Sequence, residues 1–295
     1  MKKVVLATLP SLYSLYFLNV YLRLLEGKLS AVVVSTKPVA IGRRSVTGPQ
    51  DLGFLWKRFG GRYMGYLLLN QLLMSVIELR SKGGGKNATG LWGLHRLAQE
   101  FGFEVYSSNN FNADECIEEI NRLAADLLVI NGCNQIVSAD FLHRISADCV
   151  NIHPSFLPDD RGVDPVFQKL ARGADEVSVS LHQVTAGVDE GPVYVQKKSS
   201  LPVNSTGHPV SYLQSLLSHS LMGAQLLQEF LINQPQAQAQ IGEPQFAYRS
   251  WPARQEIAQF RAQGGRLLSR GDLRALLAFD SRHFMENSFQ CLLAP

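Results

Sequence analysis

Cysteine patterns that hold a zinc ion or a disulfide framework are missing from this sequence. Only four cysteines occur among its 295 residues, and no two of them form a Cys-x-x-Cys pair. They are Cys116, Cys133, Cys149 and Cys291. Scattered cysteines indicate reduced thiols, so we expect a cytoplasmic protein. Zinc-hydrolase spacings such as His-Glu-x-x-His are also absent, and no metal site is predicted.

Charged side chains are sparse, at 18% of the residues, and the formal net charge is only +3. Proteins that bind nucleic acids normally concentrate many lysines and arginines on one surface, so no nucleic-acid partner is expected. Hydrophobic residues make up 46% of the chain, which predicts a folded core and excludes general disorder.

A continuous apolar run of membrane-spanning length is missing as well. Residues 63–79 come nearest, but they are fewer than the roughly 20 apolar residues that a bilayer requires, and Asn70 and Gln71 lie at their centre. We therefore predict no membrane span and interpret the segment as a buried or partner-facing helix. The sequence leaves peripheral membrane association through residues 63–79 and homodimer formation open.

Short apolar strands alternate with helical patterns along the first two thirds of the chain. Fully apolar strands such as the one at 126–132 are typical of a parallel sheet with helices on both faces. The sequence therefore predicts an α/β, doubly wound, mostly parallel sheet of the Rossmann-like type. The predicted strands are 3–7, 29–36, 103–108, 126–132 and 149–153, and the predicted helices are 11–26, 90–102, 114–125 and 138–146.

Two segments interrupt this alternation and define the predicted domain organisation. Residues 38–89 form a long insertion within a catalytic domain that spans 1–232. Residues 233–240 are polar and repetitive, which is typical of a linker, and a short helical extension is predicted for 241–295.

The stretch NIHPSFLPDDRG, residues 151–162, contains the first candidate functional residues. Asn151 and His153 lie two apart at the end of a predicted strand, so their side chains point to the same side. Pro154 and Pro158 stiffen the chain just beyond. An amide donor and an imidazole in one rigid place are suited to stabilising an oxyanion.

A second candidate lies in the turn of VSVSLHQVTAGVDEGPVYVQ, residues 177–196. A carboxylate there, Asp189, would orient the imidazole of His153 and support its protonated form if the two lie side by side. A metallohydrolase site built from His153, His182 and Asp189 is a weaker alternative, since the side chain of His182 is not expected to face the site.

Together these two segments resemble the signature of the 10-formyltetrahydrofolate-dependent formyltransferases. That family includes phosphoribosylglycinamide, methionyl-tRNA and sugar N-formyltransferases, and its pattern is Asn-x-His-x-Ser-x-Leu-Pro followed by an Asp in a turn. The resemblance covers about residues 125–200, is compatible with residues 1–37, and is absent from the insertion.

The resemblance implies 10-formyltetrahydrofolate as the formyl donor and an amine as the acceptor. It implies that Asn151 orients the formyl oxygen, that His153 stabilises the tetrahedral intermediate, and that Asp189 charges and orients His153. It further implies a folate pocket formed on two opposite sides of the cleft. The residues implied for that pocket are Gln135, Ile136 and Val137 on one side, and Thr185 and Val188 on the other.

The departures from the family pattern concern the acceptor. Purine-pathway members carry a glycine-containing phosphate loop after the first strand, whereas this chain has ATLPSLYSLY there. The basic β-barrel of tRNA-modifying members has no counterpart in the helical pattern of 241–295. We therefore expect a small-molecule amine, a sugar or nucleotide sugar. Phosphoribosylglycinamide formyltransferase, a formyltetrahydrofolate hydrolase and a non-catalytic folate-binding module are the alternatives.

Overall fold

The computed structural model describes residues 2–38, 40–41, 44–46, 48–82, 90–174, 176–201, 210–246 and 248–280. A seven-stranded sheet forms its centre, with strand order β5-β2-β1-β6-β7-β8-β9. The strands of this sheet are β1 (Val4–Thr8), β2 (Ala31–Ser35), β5 (Glu104–Ser108), β6 (Leu127–Asn131), β7 (Asp148–His153), β8 (Glu176–Gln183) and β9 (Val193–Ser200). A separate two-stranded ladder joins β3 (Ala40–Ile41) to β4 (Arg44–Ser45).

The sheet is parallel from β5 to β7 and antiparallel from β7 to β9. Helices pack on both of its faces and bury two apolar clusters, one on each side. The predicted doubly wound, mostly parallel architecture is therefore confirmed. The described helices are α1 (Leu12–Asn19), α2 (Leu52–Lys82), α3 (Leu94–Phe101), α4 (Asp114–Arg122), α5 (Ala139–Arg144), α6 (Pro165–Ala171), α7 (Tyr212–Asn233), α8 (Arg254–Ala262) and α9 (Arg270–Ala278).

Helix α1 begins as the sequence predicts but ends sooner than residue 26. The Ser11 hydroxyl accepts a hydrogen bond from the backbone N–H of Ser14, which is ordinary N-capping. After Asn19 the chain widens into one π-helical turn, Val20–Leu24. A side chain at Gly27 would lie only 2.4 Å from the ring of Tyr21, so the turn that follows requires glycine.

The described part of the insertion is mostly the long helix α2, which bends at Gly60, where φ is +74°. One face of α2 is buried, and Tyr63 is only 1% exposed. The other face exposes leucines, among them Leu68, Leu72 and Leu79. None of the helices in the described part of the chain is long and apolar enough to cross a bilayer. Residues 83–89 of the predicted insertion lie outside the described residues.

The C-terminal extension is helical, as the sequence predicts, and contains α8 and α9 on either side of Gly264 and Gly265. Their buried side chains, including Phe260 and Leu276, belong to the same apolar cluster as α1 and α7. Apolar contact with the sheet domain therefore holds the described part of the extension in place. Residues 281–295, which include Cys291, lie outside the described residues.

Candidate active site

A cleft of about 550 Å³ opens where β1, β6 and β7 end. From β1 the chain continues to β2 and β5 on one side of the sheet, and β6 begins the other side. The direction of strand order therefore reverses between β1 and β6. Open α/β sheets place their ligands at such a reversal, outside the carboxyl ends of the strands.

Asn151 and His153 both line this cleft, and Asp189 reaches it from the turn between β8 and β9. The Asp189 Oδ1 atom accepts a hydrogen bond from Asn151 Nδ2 at 3.2 Å and lies 3.6 Å from His153 Nδ1. Its Oδ2 atom accepts a hydrogen bond from the Gly162 backbone N–H at 2.9 Å. The structure thus brings the three predicted catalytic residues into one cluster.

His153 is 4% exposed, and both of its ring nitrogens face acceptors. Nε2 donates to the backbone oxygen of Asp160 at 3.0 Å, while Nδ1 faces Asp189. Burial lowers the pKa of His153 below its ordinary value, and Asp189 and the Asp160 carbonyl oppose that shift. Because burial outweighs them, the neutral imidazole is favoured at neutral pH, and the carboxylate of Asp189 is the main influence in favour of the cation.

For Asp189, in contrast, burial does not decide the direction of the pKa shift. Burial raises its pKa, but His153, His182 and the Gly162 N–H together outweigh burial and hold that pKa well below its usual range. The carboxylate is therefore ionised throughout the physiological pH range. Asp189 adopts a left-handed backbone conformation, with φ of +53°, which Asp tolerates better than most residues.

His182 lies at the centre of this cluster, contrary to the expectation that it faces away. It is directly opposite Asn151 in the antiparallel pairing of β7 with β8, so the two side chains share a face. Its Nδ1–H donates to the Gln183 carbonyl at 2.8 Å, which leaves Nε2 to accept from Asn151 Nδ2 at 3.1 Å. Both Asn151 amide hydrogens thus have partners, and this fixes the orientation of the amide.

Two loops line the cleft, and together we call them the loop wall: residues 132–137 and 184–188. Gln135, Ile136 and Val137 from the first loop line the cleft, as do Thr185 and Val188 from the second. The Gln135 side chain is occupied in fixing its own loop, because it accepts from the Phe111 N–H and donates to the Ser35 hydroxyl, both at 2.8 Å. A ligand would therefore contact the Gln135 backbone and the neighbouring Ile136 and Val137 rather than the Gln135 side chain.

A second group of lining residues, which we call the aromatic wall, has a different character. Its members come from segments far apart in the chain and include one carboxylate. They are Tyr13, Asp164, Tyr212, Tyr248 and Trp251. No lysine or arginine occurs among the described residues that line the cleft.

Asp164 is the charged group of the aromatic wall. The Tyr212 hydroxyl donates to both of its oxygens, at 2.9 and 3.0 Å, and the Tyr63 hydroxyl approaches Oδ2 at 3.4 Å. Burial raises the pKa of Asp164 to about 6, against these hydrogen bonds and the one from the Phe167 N–H. The Tyr13 hydroxyl is buried without a hydrogen-bond partner in the described part of the chain.

Comparison with known proteins gives a family match over residues 15–217, to the model described as formyl transferase. That match covers more than half of the chain and includes all three clustered polar residues. The chain belongs to the formyl transferase family.

Individual relatives match this family member over shorter stretches. A methionyl-tRNA formyltransferase from Rickettsia typhi is 32% identical over 140 residues, which is 48% of this chain and 45% of the relative. The chain thus spans about half the length of the curated relatives it matches.

Among solved structures, an N-formyltransferase from Helicobacter canadensis, in complex with folinic acid and dTDP-3-aminofucose, is 16% identical, with a TM-score of 0.47. That match covers 87% of this chain and 72% of the other. A phosphoribosylglycinamide formyltransferase from Anaplasma phagocytophilum is 17% identical, also with a TM-score of 0.47, over 84% of this chain and 99% of the other.

For this family member the sequence analysis names His182 but expects its side chain to face away from the site, and it misses most of the aromatic wall. The signal for His182 was present, since Ser178, Ser180 and His182 alternate with apolar residues along β8 and therefore share one face. A carboxylate and two histidines do meet here, but no group of at least three metal-ligating side chains has metal-binding geometry in the described residues. For Tyr248 and Trp251 no local pattern exists, because tertiary packing of the extension places them.

Proposed function

We propose that this protein transfers a formyl group from 10-formyltetrahydrofolate to the amine of a small acceptor, an amino sugar or a nucleotide sugar carrying an amine. The observation that carries the proposal is the cluster of Asn151, His153 and Asp189 at the end of β7. It combines an amide donor, an imidazole and an ionised carboxylate where a doubly wound sheet binds its ligands.

The proposed reaction is an acyl transfer. The lone pair of the acceptor amine attacks the formyl carbon, and the carbonyl electron pair moves onto oxygen to give a tetrahedral oxyanion. One proton leaves the attacking nitrogen and one reaches N10 of the folate as the carbon–N10 bond breaks. The products are the formamide of the acceptor and tetrahydrofolate.

His153 and Asn151 act on the oxyanion in this proposal. A protonated His153 is best suited to the developing negative charge, and Asp189 supports that form because its carboxylate faces Nδ1. Asn151 has its amide hydrogens on Asp189 and His182, and the bond to Asp189 is long, at 3.2 Å. A formyl oxygen that gains negative charge competes for that hydrogen as the reaction proceeds.

The two walls supply the proposed binding roles. The loop wall would hold the pterin ring through the backbone of residues 135–137, and Thr185 and Val188 would contact it from the other side. The aromatic wall would face the acceptor, because the rings of Tyr13, Tyr212, Tyr248 and Trp251 offer apolar faces to a sugar ring.

The charge of the aromatic wall supports an acceptor without a phosphate at this end of the cleft. A phosphate is normally bound by Arg, Lys or bare backbone N–H groups, and the described lining offers no Arg or Lys. Asp164 would repel a phosphate and would accept hydrogen bonds from sugar hydroxyls. Phosphoribosylglycinamide is therefore expected to be a poor acceptor.

A steady-state assay tests the proposal. The purified chain is incubated with 10-formyltetrahydrofolate and, separately, with amino sugars, nucleotide-linked amino sugars, phosphoribosylglycinamide, methionyl-tRNA or no acceptor, while tetrahydrofolate release is followed. Methionyl-tRNA is included because relatives at 30–33% identity carry that name. We expect rapid release only with an amino sugar or its nucleotide.

Four results would redirect the proposal. Rapid release without acceptor would favour the hydrolase, and efficient use of phosphoribosylglycinamide or methionyl-tRNA would replace the proposed acceptor. Binding of the folate with no turnover for any amine would favour a non-catalytic folate-binding module. Loss of turnover on chelation, restored by zinc, would favour the metallohydrolase.

A further inference from the structure

Residues 234–246 and 248–251, which we call the strap, run from the end of α7 across the β8–β9 turn, which carries Asp189, and the loop that follows β7. Gln238 exchanges two backbone hydrogen bonds with Val193, at 2.7 and 2.8 Å, just after the Asp189 turn. Further along, the Arg249 N–H donates to the Arg161 carbonyl at 3.1 Å, and the Arg249 carbonyl accepts from Val163 at 2.8 Å. The strap therefore ties the β8–β9 turn to the loop that follows β7.

One side chain of the strap, that of Gln240, contacts the Asp189 turn directly. Its Nε2 atom donates to the backbone carbonyls of Asp189 and Gly191, both at 2.9 Å. Its Oε1 atom accepts from Arg161 Nη2 at 2.7 Å, and Arg161 Nη1 lies 3.4 Å from Glu190. Both Gln240 amide hydrogens are thus used on carbonyls that flank the turn.

The orientation of the Asp189 carboxylate depends on this turn. Asp189 is in the left-handed region, and Gly191 is so close to the Gln183 carbonyl that a side chain there would lie at 1.8 Å. The turn is therefore a specific, tight conformation that an isolated loop would not hold without external hydrogen bonds. Gln240 supplies two of them from outside the loop.

We propose that Gln240 is a positioning residue of this active site, which holds the Asp189 turn so that the carboxylate faces His153 and Asn151. The inference rests on the proposed function for its effect on turnover. Gln240 touches neither the donor nor the acceptor in this arrangement, since it does not line the cleft. Its influence on the reaction passes through the Asp189 backbone.

Three variants separate this role from simple anchoring of the strap. Gln240→Ala removes all three side-chain hydrogen bonds. Gln240→Glu keeps an acceptor for Arg161 but sets a carboxylate against the Asp189 and Gly191 carbonyls. Gln236→Ala is the matched control, because Gln236 is an exposed glutamine of the same strap with no side-chain hydrogen bond described.

The first readout is steady-state kinetics with the acceptor that the wild type uses. We expect kcat to fall on the order of tenfold or more in both Gln240 variants, with each KM within about twofold of the wild type. Gln236→Ala should be unchanged. Wild-type kcat in Gln240→Glu would show that Gln240 only anchors Arg161, and equal rises in both KM values without a change in kcat would also overturn the proposal.

The second readout needs no activity, so it separates failure of this proposal from failure of the proposed function. The His153 imidazole is titrated by NMR, its signal being identified by its loss in His153→Gln. The charged and titratable groups that interact with His153 are Asp189, His182, Lys169 and His219. Only Asp189 is tied to Gln240, so Gln240→Ala should lower the His153 pKa and Gln236→Ala should not. An unchanged titration in Gln240→Ala, with unchanged thermal stability, would overturn the proposal.

Discussion

The two walls of the cleft are built in opposite ways. The loop wall consists of two short segments that directly follow β6 and β8, and its loops are fixed by nearby bonds such as those of Gln135. The aromatic wall is assembled from α1, the start of α6, the start of α7 and the strap. The residues of the loop wall are therefore neighbours within two short segments of sequence, whereas the residues of the aromatic wall come together only in the folded chain.

If the two walls bind the donor and the acceptor separately, a substitution in the polar cluster between them should lower kcat without weakening the binding of either ligand. We expect His153→Ala to lower kcat by about 100-fold to 1,000-fold, because one oxyanion donor is typically worth about 2.7–4 kcal/mol. Tetrahydrofolate binding, measured by calorimetry, should stay within about threefold, since we propose that this ligand contacts the loop wall.

The matched control is His143→Ala, at an exposed histidine on α5. A large loss of folate affinity in His153→Ala with nearly normal kcat would mean that the residue belongs to a binding wall. Asp189→Asn should follow the same pattern as His153→Ala, because the amide cannot support the imidazolium.

Truncating one side chain in each wall tests directly whether the two walls bind different ligands. Trp251→Ala should raise the acceptor KM about tenfold, since an aromatic contact is worth about 1–1.5 kcal/mol, and should leave the donor KM unchanged. Val188→Ala should do the reverse. The Trp251 backbone carbonyl accepts from Arg58, so the alanine variant keeps that anchor of the strap. Equal effects of both variants on both KM values would show that the walls are not separate.

The comparison also explains which features the sequence predicts. The α/β order, the Ser11 cap and the strand that presents Asn151 and His153 follow from local periodicity. Asp189 follows from its position in a turn together with the family resemblance. Trp251 does not follow from any of these, because it reaches the cleft only through packing of the C-terminal extension against the sheet domain.

A smaller effect is expected from the charge of the aromatic wall. Asp164→Asn keeps a cap for the Phe167 N–H but removes the carboxylate, and we expect the affinity for the formylated product to fall about threefold to tenfold at pH 7.5. The product is chosen as the probe because its formamide does not titrate. In the wild type that affinity should also fall from pH 7 to pH 5, since the Asp164 pKa is about 6 and a protonated carboxyl is a weaker acceptor.

In Asp164→Asn the affinity should be nearly independent of pH over that range. A wild type without pH dependence would mean that Asp164 serves only Tyr212 and the helix cap. If Asp164→Asn retained the full pH dependence of product affinity, the dependence would come from His153 or His182 instead.

The smallest effect concerns a buried group that belongs to neither wall. Lys169 is 4% exposed, and its ammonium donates to Ser178 Oγ at 2.7 Å and to His219 Nε2 at 2.8 Å. His219 can accept because its Nδ1–H donates to the Ser215 carbonyl. Burial lowers the pKa of Lys169 to about 7, far below the ordinary 10.5.

The sign of the resulting pH dependence follows from proton binding. Between pH 7 and 10.5 the unfolded chain keeps the Lys169 proton that the folded protein loses, so this group makes the free energy of unfolding rise with pH. From pH 7 to pH 8 the free energy of unfolding should therefore rise by about 1 kcal/mol through Lys169. Urea unfolding of the wild type and of Lys169→Met at both pH values measures it, because cysteine and tyrosine contributions cancel in the difference between the two proteins. We expect the wild type to gain about 1 kcal/mol relative to the variant, with no change in either KM. A parallel pH dependence in the two proteins would mean that Lys169 stays protonated when buried, held by acceptors stronger than Ser178 and His219.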